Sequence, residues 1–244
     1  MTRRIVPVCV AWLFASVAAA AETLRVGVGD GQALPLAHFE NGRPVRGILV
    51  DLALALGRET GLDVAFVVLP RKREEPFEKS GAIDVMCFLN PAWRRVPADY
   101  HWGAPVFHVG DVIIGHAGMA KPHGLDALPH GALVSTVLGY VYPGLDARFA
   151  DGRLKREDTP DQWKVMLKVN AAHTLYGTSN DLSLDWFRRE NPAHKLASWR
   201  IRFDAPAYHC AVPKAGRVVA TRIHDALARM ARSGEIERIR TRWR

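Results

Sequence analysis

Residues 23–69 constrain this chain more than any other stretch, because they spell a complete strand–helix–strand unit. Thr23-Leu-Arg-Val-Gly-Val28 alternates apolar and polar residues, the pattern of a half-buried strand. It runs into Gly29-Asp30-Gly31, a turn in which glycine permits positive φ and close backbone approach. Asp30 therefore stands at the C-terminal end of a strand, where open α/β sheets bind their ligands. After the polar turn 40–44, Leu49, Leu52, Ala53 and Leu56 fall at i, i+3, i+4 and i+7, one apolar face of a helix that Gly61 stops. Leu62 to Leu69 is a β-branched run that reads as a strand buried on both faces. The product is a βαβ unit with a polar, ligand-facing loop.

The same alternation continues. A short helix over 74–80, a strand over 82–89, a loop at 90–95 and a strand over 109–114 follow. A second, similar series has strands at 131–137, 171–176, 199–203 and 208–212, with helices at 145–149 and 160–167. A further helix carries Leu182, Trp186 and Phe187, capped by Asn180 or Asp181. Val219, Ile223, Ala226, Leu227 and Met230 line one face of a closing helix that Ser233-Gly234 ends. Repeated βα pairs of this kind predict a mostly parallel sheet flanked by helices, here made twice.

Residues 1–21 stand apart. Arg3 and Arg4 open them, an apolar stretch runs from Ile5 to Val17, and the small residues Ala18 to Ala21 precede Glu22. This is the layout of a cleavable secretory leader; the alternative, a membrane anchor, is disfavoured by so short an apolar core. Export to the periplasm is the expected address. The remaining residues, about 220, suffice for one large domain or two small lobes. The net charge of +8, two units of it from the leader arginines, is spread without interleaved aromatics, so a solvated surface is favoured over nucleic-acid binding.

Catalytic and cofactor signatures are missing. The ten histidines form no paired set with a glutamate, Gly27-Val-Gly-Asp-Gly31 has the wrong spacing for a dinucleotide fingerprint, and no nucleophile elbow or phosphate-binding lysine loop occurs. Neither a metal nor a cofactor is expected.

Leu24-Arg-Val-Gly-Val, Gly47-Ile-Leu-Val-Asp-Leu-Ala-Leu-Ala-Leu and Ser80-Gly-Ala-Ile-Asp-Val, in this order and spacing, resemble the family-3 extracellular solute-binding proteins, receptors of the polar-amino-acid type. Trp102-Gly-Ala-Pro-Val-Phe107, Gly139-Tyr-Val-Tyr and the segments 204–214 and 223–243 extend the resemblance over essentially the whole mature chain. The resemblance implies a two-lobe α/β fold of the type II periplasmic-binding-protein kind with two hinge strands. Residues 22–109 and 206–244 would form lobe one, and 110–205 lobe two. It implies capture of a small polar solute, an amino acid or related carboxylate and an anionic one included, by lobe closure. Delivery would be to an inner-membrane ABC permease, by a monomer. It also implies that the strand 208–212 lies beside the third strand, which sets Cys87 near Cys210 and makes a disulfide the expectation, with two free thiols as the alternative.

Several site residues follow from the same resemblance. Asp30 matches a position that often contacts the ligand, although an Asx-turn would also employ it. Arg71 stands where the family places a stacking aromatic, a swap that suits an anionic ligand or marks a solvated cation. The family's carboxylate-clamping arginine has no direct counterpart: Asn90-Pro-Ala-Trp-Arg-Arg95 replaces its loop, and Arg94 or Arg95 reaches the clamp position only through a local slip. Tyr140 and Tyr142 could flank the ligand or pack at the hinge. Asp181 falls near the residue that meets a ligand ammonium, or simply caps its helix. Two rival functions stay open: a periplasmic dehydratase of cyclohexadienyl acids, which needs a general acid in a dry cleft, and a sensor or accessory protein that signals to a membrane partner.

Overall fold

The computed structural model describes residues 22–243; the leader expected at 1–21 lies outside the described residues. The elements are β1 (Thr23–Gly29), β2 (His38–Glu40), β3 (Arg43–Arg46), α1 (Ile48–Thr60), β4 (Asp63–Leu69), α2 (Glu74–Lys79) and β5 (Val85–Leu89). They continue with β6 (Tyr100–Trp102), β7 (Phe107–His108), β8 (Asp111–His116), β9 (Ala132–Val137), α3 (Pro143–Ala150) and β10 (Leu154–Thr159). The chain then forms α4 (Gln162–Asn170), β11 (Tyr176–Asn180), α5 (Asp181–Glu190), β12 (Leu196–Asp204), β13 (Ala207–Pro213), α6 (Ala220–Arg232) and α7 (Glu235–Arg242).

Two sheets result. The first runs β4-β1-β5-β13-β6, with β7 also on β13; β1 pairs in parallel with β4 and β5, and β13 is antiparallel to its neighbours. The second runs β10-β9-β11-β8-β12, parallel among β10, β9 and β11 and antiparallel at β8 and β12. The chain crosses between sheets twice, through Val109-Gly110 after β7 and through Ala205-Pro206 after β12. Each lobe is thus a helix-flanked sheet, and the pair makes the type II two-lobe fold.

Side-chain period explains the layers. In α6 the buried residues Ile223, Ala226, Leu227 and Met230 form one stripe, which joins α1 and β1 in the larger core. In β8, Val112 and Ile114 face the core shared with α4 and α5, while Ile113 faces the opposite core with Leu145 and Leu154. Gly61 adopts φ 69° and its N–H bonds the Arg58 carbonyl, closing α1 with a left-handed residue. Asp84, fully buried, accepts from the Arg25 guanidinium and from the backbone N–H groups of Arg25 and Arg217, which ties β1 to the segment before α6. Burial works to raise its pKa, but these donors outweigh it and hold it below the usual value.

Two expectations need correction. β4 is an edge strand and only half-buried: Val64 and Phe66 pack on one core and Val67 on another, but the missing outer neighbour leaves each partly exposed. The strand expected over 171–176 begins instead at Tyr176. α4 extends to Asn170, and Ala172, at φ 57°, turns the chain before Gly177-Thr-Ser-Asn enters the middle of the second sheet. These small polar residues have the composition of a turn, yet they are buried, with Thr178 and Ser179 finding partners inside the lobe. The turn at 40–44 is the tip of a small hairpin, β2–β3, and the charged segment 154–159 is the edge strand β10.

Cys87 and Cys210 lie opposite each other on β5 and β13 and form a disulfide across 123 residues of sequence.

Candidate functional site

A cavity of about 550 Å³ lies between the two sheets. Its walls come from both: Arg71, Glu74, Phe88, Trp93 and Arg94 from one side, Asp111, Tyr140, Tyr142 and Asn180 from the other, with Tyr208 on the returning strand.

Two turns position the first wall. Pro70 ends β4 in extended conformation, and residues 71–73 form a short 3-10 turn into α2. Asp30 fastens that turn to the end of β1: its N–H bonds the Leu69 carbonyl, and its carboxylate accepts from the Arg71 N–H at 3.1 Å. Asp30 is itself exposed and does not line the cavity.

Arg71 is no solvated loop cation. Its guanidinium lies 3.7 Å from the centroid of the Tyr140 ring, donates to the Tyr140 hydroxyl at 2.8 Å, and meets Glu74 at 3.2 Å. Only 12% of its side chain is exposed. Burial raises the Glu74 pKa, against the pull of Arg71 and Arg94.

Arg94 lies deeper. Its Nε and Nη2 grip the two oxygens of Glu78 at 3.1 and 2.8 Å, and Nη2 also reaches Glu74 at 3.4 Å. Tyr100 donates its hydroxyl to the same Glu78 carboxylate. Burial alone would lower the Arg94 pKa, but the two glutamates outweigh it and hold the guanidinium charged. Its bidentate face is thus already spent on a carboxylate of its own chain. Arg95 lines the cavity with an exposed side chain and donates its backbone N–H to Glu75.

Asn90 is not in the wall. It accepts from the Ala92 N–H and donates to the Ala207 carbonyl, so both ends of its amide serve the backbone. Asp181 is likewise outside, bound to Arg200 at 2.6 Å and Arg202 at 2.9 Å. Asn180 supplies the cap of α5, accepting from the Ser183 N–H, and also lines the cavity. Tyr142 is buried; its hydroxyl accepts from the Val137 N–H and from Thr178, and its ring lies 6.2 Å from that of Tyr140. Five sequence candidates therefore meet at the cavity, namely Arg71, Arg94, Arg95, Tyr140 and Tyr142, and three do not.

Sequence reasoning passed over Glu74, Asp111, Phe88 and Tyr208. Asp111 begins β8 beneath the cavity and accepts from the Tyr208 hydroxyl at 2.9 Å. Burial pushes its pKa up to about 7, with the nearby Asp204 and Asp181 adding to the rise. Tyr208 stacks on Phe88 with centroids 3.9 Å apart, and Trp93 meets its edge at 5.3 Å. One signal was available: Asp111 is a lone acid directly before the apolar run Val112-Ile-Ile114. Among the described residues no group of three or more His, Cys, Asp or Glu is placed to hold a metal ion.

The family profile of the bacterial extracellular solute-binding proteins, family 3, matches residues 24–244. The chain belongs to this family. Solved structures share its architecture. An ancestral arginine-binding protein bound to arginine superposes with a TM-score of 0.75 at 22% identity, over 91% of this solute-binding protein and 97% of that chain. The ancestral amino acid-binding protein AncCDT-1, a precursor of cyclohexadienyl dehydratase, gives 0.73 at 19%, over 91% and 94%. The substrate-binding protein of an amino acid ABC transporter gives 0.73 at 14%, over 91% and 98%. At such identities the likeness is one of fold. Comparison with curated protein sequences finds no match.

Proposed function

We propose that the protein captures a small polar solute, an amino acid or a related carboxylate, in the cavity between its sheets and passes it to an inner-membrane ABC permease. The observation that carries this is the shared wall: a solute there touches Phe88 and Trp93 on one side and Asp111 and Asn180 on the other, so closure gains contacts that the open form lacks. The proposed lobes are 22–109 with 206–244, and 110–205. Supporting them, all strands of the six-stranded sheet fall in the first set and all strands of the five-stranded sheet in the second. The ligand's address is the periplasm, reached after removal of residues 1–21, and the protein acts as a monomer. The naming of one relative as part of an amino acid ABC transporter supports the permease as partner.

A thermal-shift screen of the mature protein against a panel of amino acids and carboxylates tests the proposal. A true ligand at about 100 times its Kd stabilises by about 2.7 kcal/mol. If no member of the panel shifts the transition and calorimetry detects no binding, solute capture is wrong.

Asp111 favours a second reading. A largely buried carboxyl whose pKa is pushed up to about 7, hydrogen-bonded by Tyr208 in the wall of the cavity, is equipped to donate a proton, as the dehydration of a cyclohexadienyl acid requires. Turnover of prephenate or arogenate, abolished in Asp111→Asn, would establish it in place of transport.

A further inference from the structure

Three glycines surround the Arg71 side chain. A Cβ on Gly31 would sit 2.7 Å from its Nη2, one on Gly29 3.2 Å from the same atom, and one on Gly139 2.7 Å from its Cγ. Gly29 ends β1 and Gly31 lies in the turn after it, and Gly139 belongs to the turn before α3 in the other lobe. The channel they leave guides the guanidinium from one lobe onto the face of Tyr140 in the other, where Glu74 completes a charged partner. Every element of a receptor for a flat cation is present there: an aromatic face, a hydroxyl acceptor and a buried carboxylate. The cation that fills it is covalently part of the chain. Arg71 Nε is buried without a hydrogen bond, and Glu74 Oε1 has none beyond its ion pair with Arg71. The aromatic face and the charge, rather than a dense hydrogen-bond lattice, therefore hold the side chain.

We propose that Arg71 is a tethered occupant of a guanidinium subsite in the cleft, and that it sets specificity by keeping that subsite closed to solutes bearing a second cation. Assigning specificity to it rests on the solute-capture reading above; the subsite itself does not. With the Tyr140 face covered and Glu74 partnered, an incoming solute finds only what remains of the cavity, the region of Asp111, Asn180, Phe88 and Trp93. The same contact fastens lobe to lobe, together with the hydrogen bond from the Gln162 N–H to the Gly31 carbonyl at 3.3 Å.

Removing the side chain should turn the filled subsite into a vacant one. The test compares wild type, Arg71→Ala and the double variant Arg71→Ala/Tyr140→Leu in the mature protein. Methylguanidinium is the probe and methylurea its uncharged counterpart of similar shape, read by ligand-observed NMR and thermal shift. Methylguanidinium should bind Arg71→Ala saturably and about tenfold more tightly than wild type, the equivalent of about 1.4 kcal/mol and in the range of a cation–π contact. The gain should vanish in the double variant and with methylurea. Equal responses of wild type and Arg71→Ala, or a gain that survives loss of Tyr140, would overturn the proposal. If Arg71→Ala loses its circular-dichroism signature of folding, Arg71→Met, which keeps the stem and drops the charge, takes its place. Because the probe is not a natural ligand, the result stands or falls separately from the metabolite screen.

Discussion

Tyr208 donates its hydroxyl to Asp111 across the junction of the two sheets: the donor sits on β13 in the first, the acceptor opens β8 in the second, and 2.9 Å separates them. The bond ties the chain's return strand to its outgoing one beside the cavity. It also leaves a carboxyl in a place that water does not reach freely, so its protonation follows the folded state.

The sign of the resulting pH dependence is set by that elevated pKa. Unfolded, Asp111 ionises near 3.8; folded, near about 7. Between these values the native state holds a proton that the unfolded state has released, so this group's contribution falls as pH rises and is lost above about 7. The gap corresponds to an upper limit of about 4 kcal/mol. Urea denaturation of wild type and Asp111→Asn at pH 5 and pH 8 reads it: wild type should lose more stability over that interval. Parallel pH profiles would show that Asp111 ionises normally.

Arg94 should behave as a structural ion. Its side chain is 6% exposed and that of Glu78 1%, so Arg94→Ala leaves two glutamates buried with less counter-charge and should cost about 3–5 kcal/mol. Combining Arg94→Met with Glu78→Gln should cost less than either change alone, because no buried charge of this pair is then stranded. An Arg94→Ala protein as stable as wild type but unable to bind its ligand would instead make Arg94 an anion clamp.

Loss of the Cys87–Cys210 link should be felt by the whole domain. It closes a loop of 123 residues, and opening it by the double substitution to Ala should cost about 2–5 kcal/mol in chemical denaturation. Reduction of the wild type should reproduce the change, and an unaltered midpoint under reducing conditions would contradict it.

Asp181→Asn should leave the ligand response intact. The carboxylate is held by Arg200 and Arg202 outside the cavity wall, and its loss at the first turn of α5 should lower stability by about 1 kcal/mol. A ligand found in the metabolite screen should shift the variant's melting transition as far as it shifts that of wild type. A lost shift with an unchanged fold would place Asp181 at the ligand after all.

Legibility divides along physical lines. The helix α1 was readable because its apolar residues repeat at the helical period and Gly61 stops it, both local properties. The edge strand β10 was not: Leu154-Lys-Arg-Glu-Asp-Thr159 carries no alternation, and only its parallel pairing with β9 makes it a strand. β11 misled for the converse reason, since Gly-Thr-Ser-Asn has the composition of a turn and is held extended by strands on both sides.

The site shows the same division more sharply. Hydrophobic period and sequence order sufficed for two βα series, because they restrict how such pieces can pack; the crossing strands and the neighbouring placement of Cys87 and Cys210 were implied by the resemblance to the family-3 solute-binding proteins. What each arginine does depended on partners distant in sequence. Arg71 and Arg94 stand 23 positions apart in equally polar loops, yet one lies against Tyr140 of the other lobe and the other is absorbed by Glu78. A guanidinium takes whichever aromatic face or carboxylate the folded chain delivers within a few ångströms, and only packing of both lobes decides which that is.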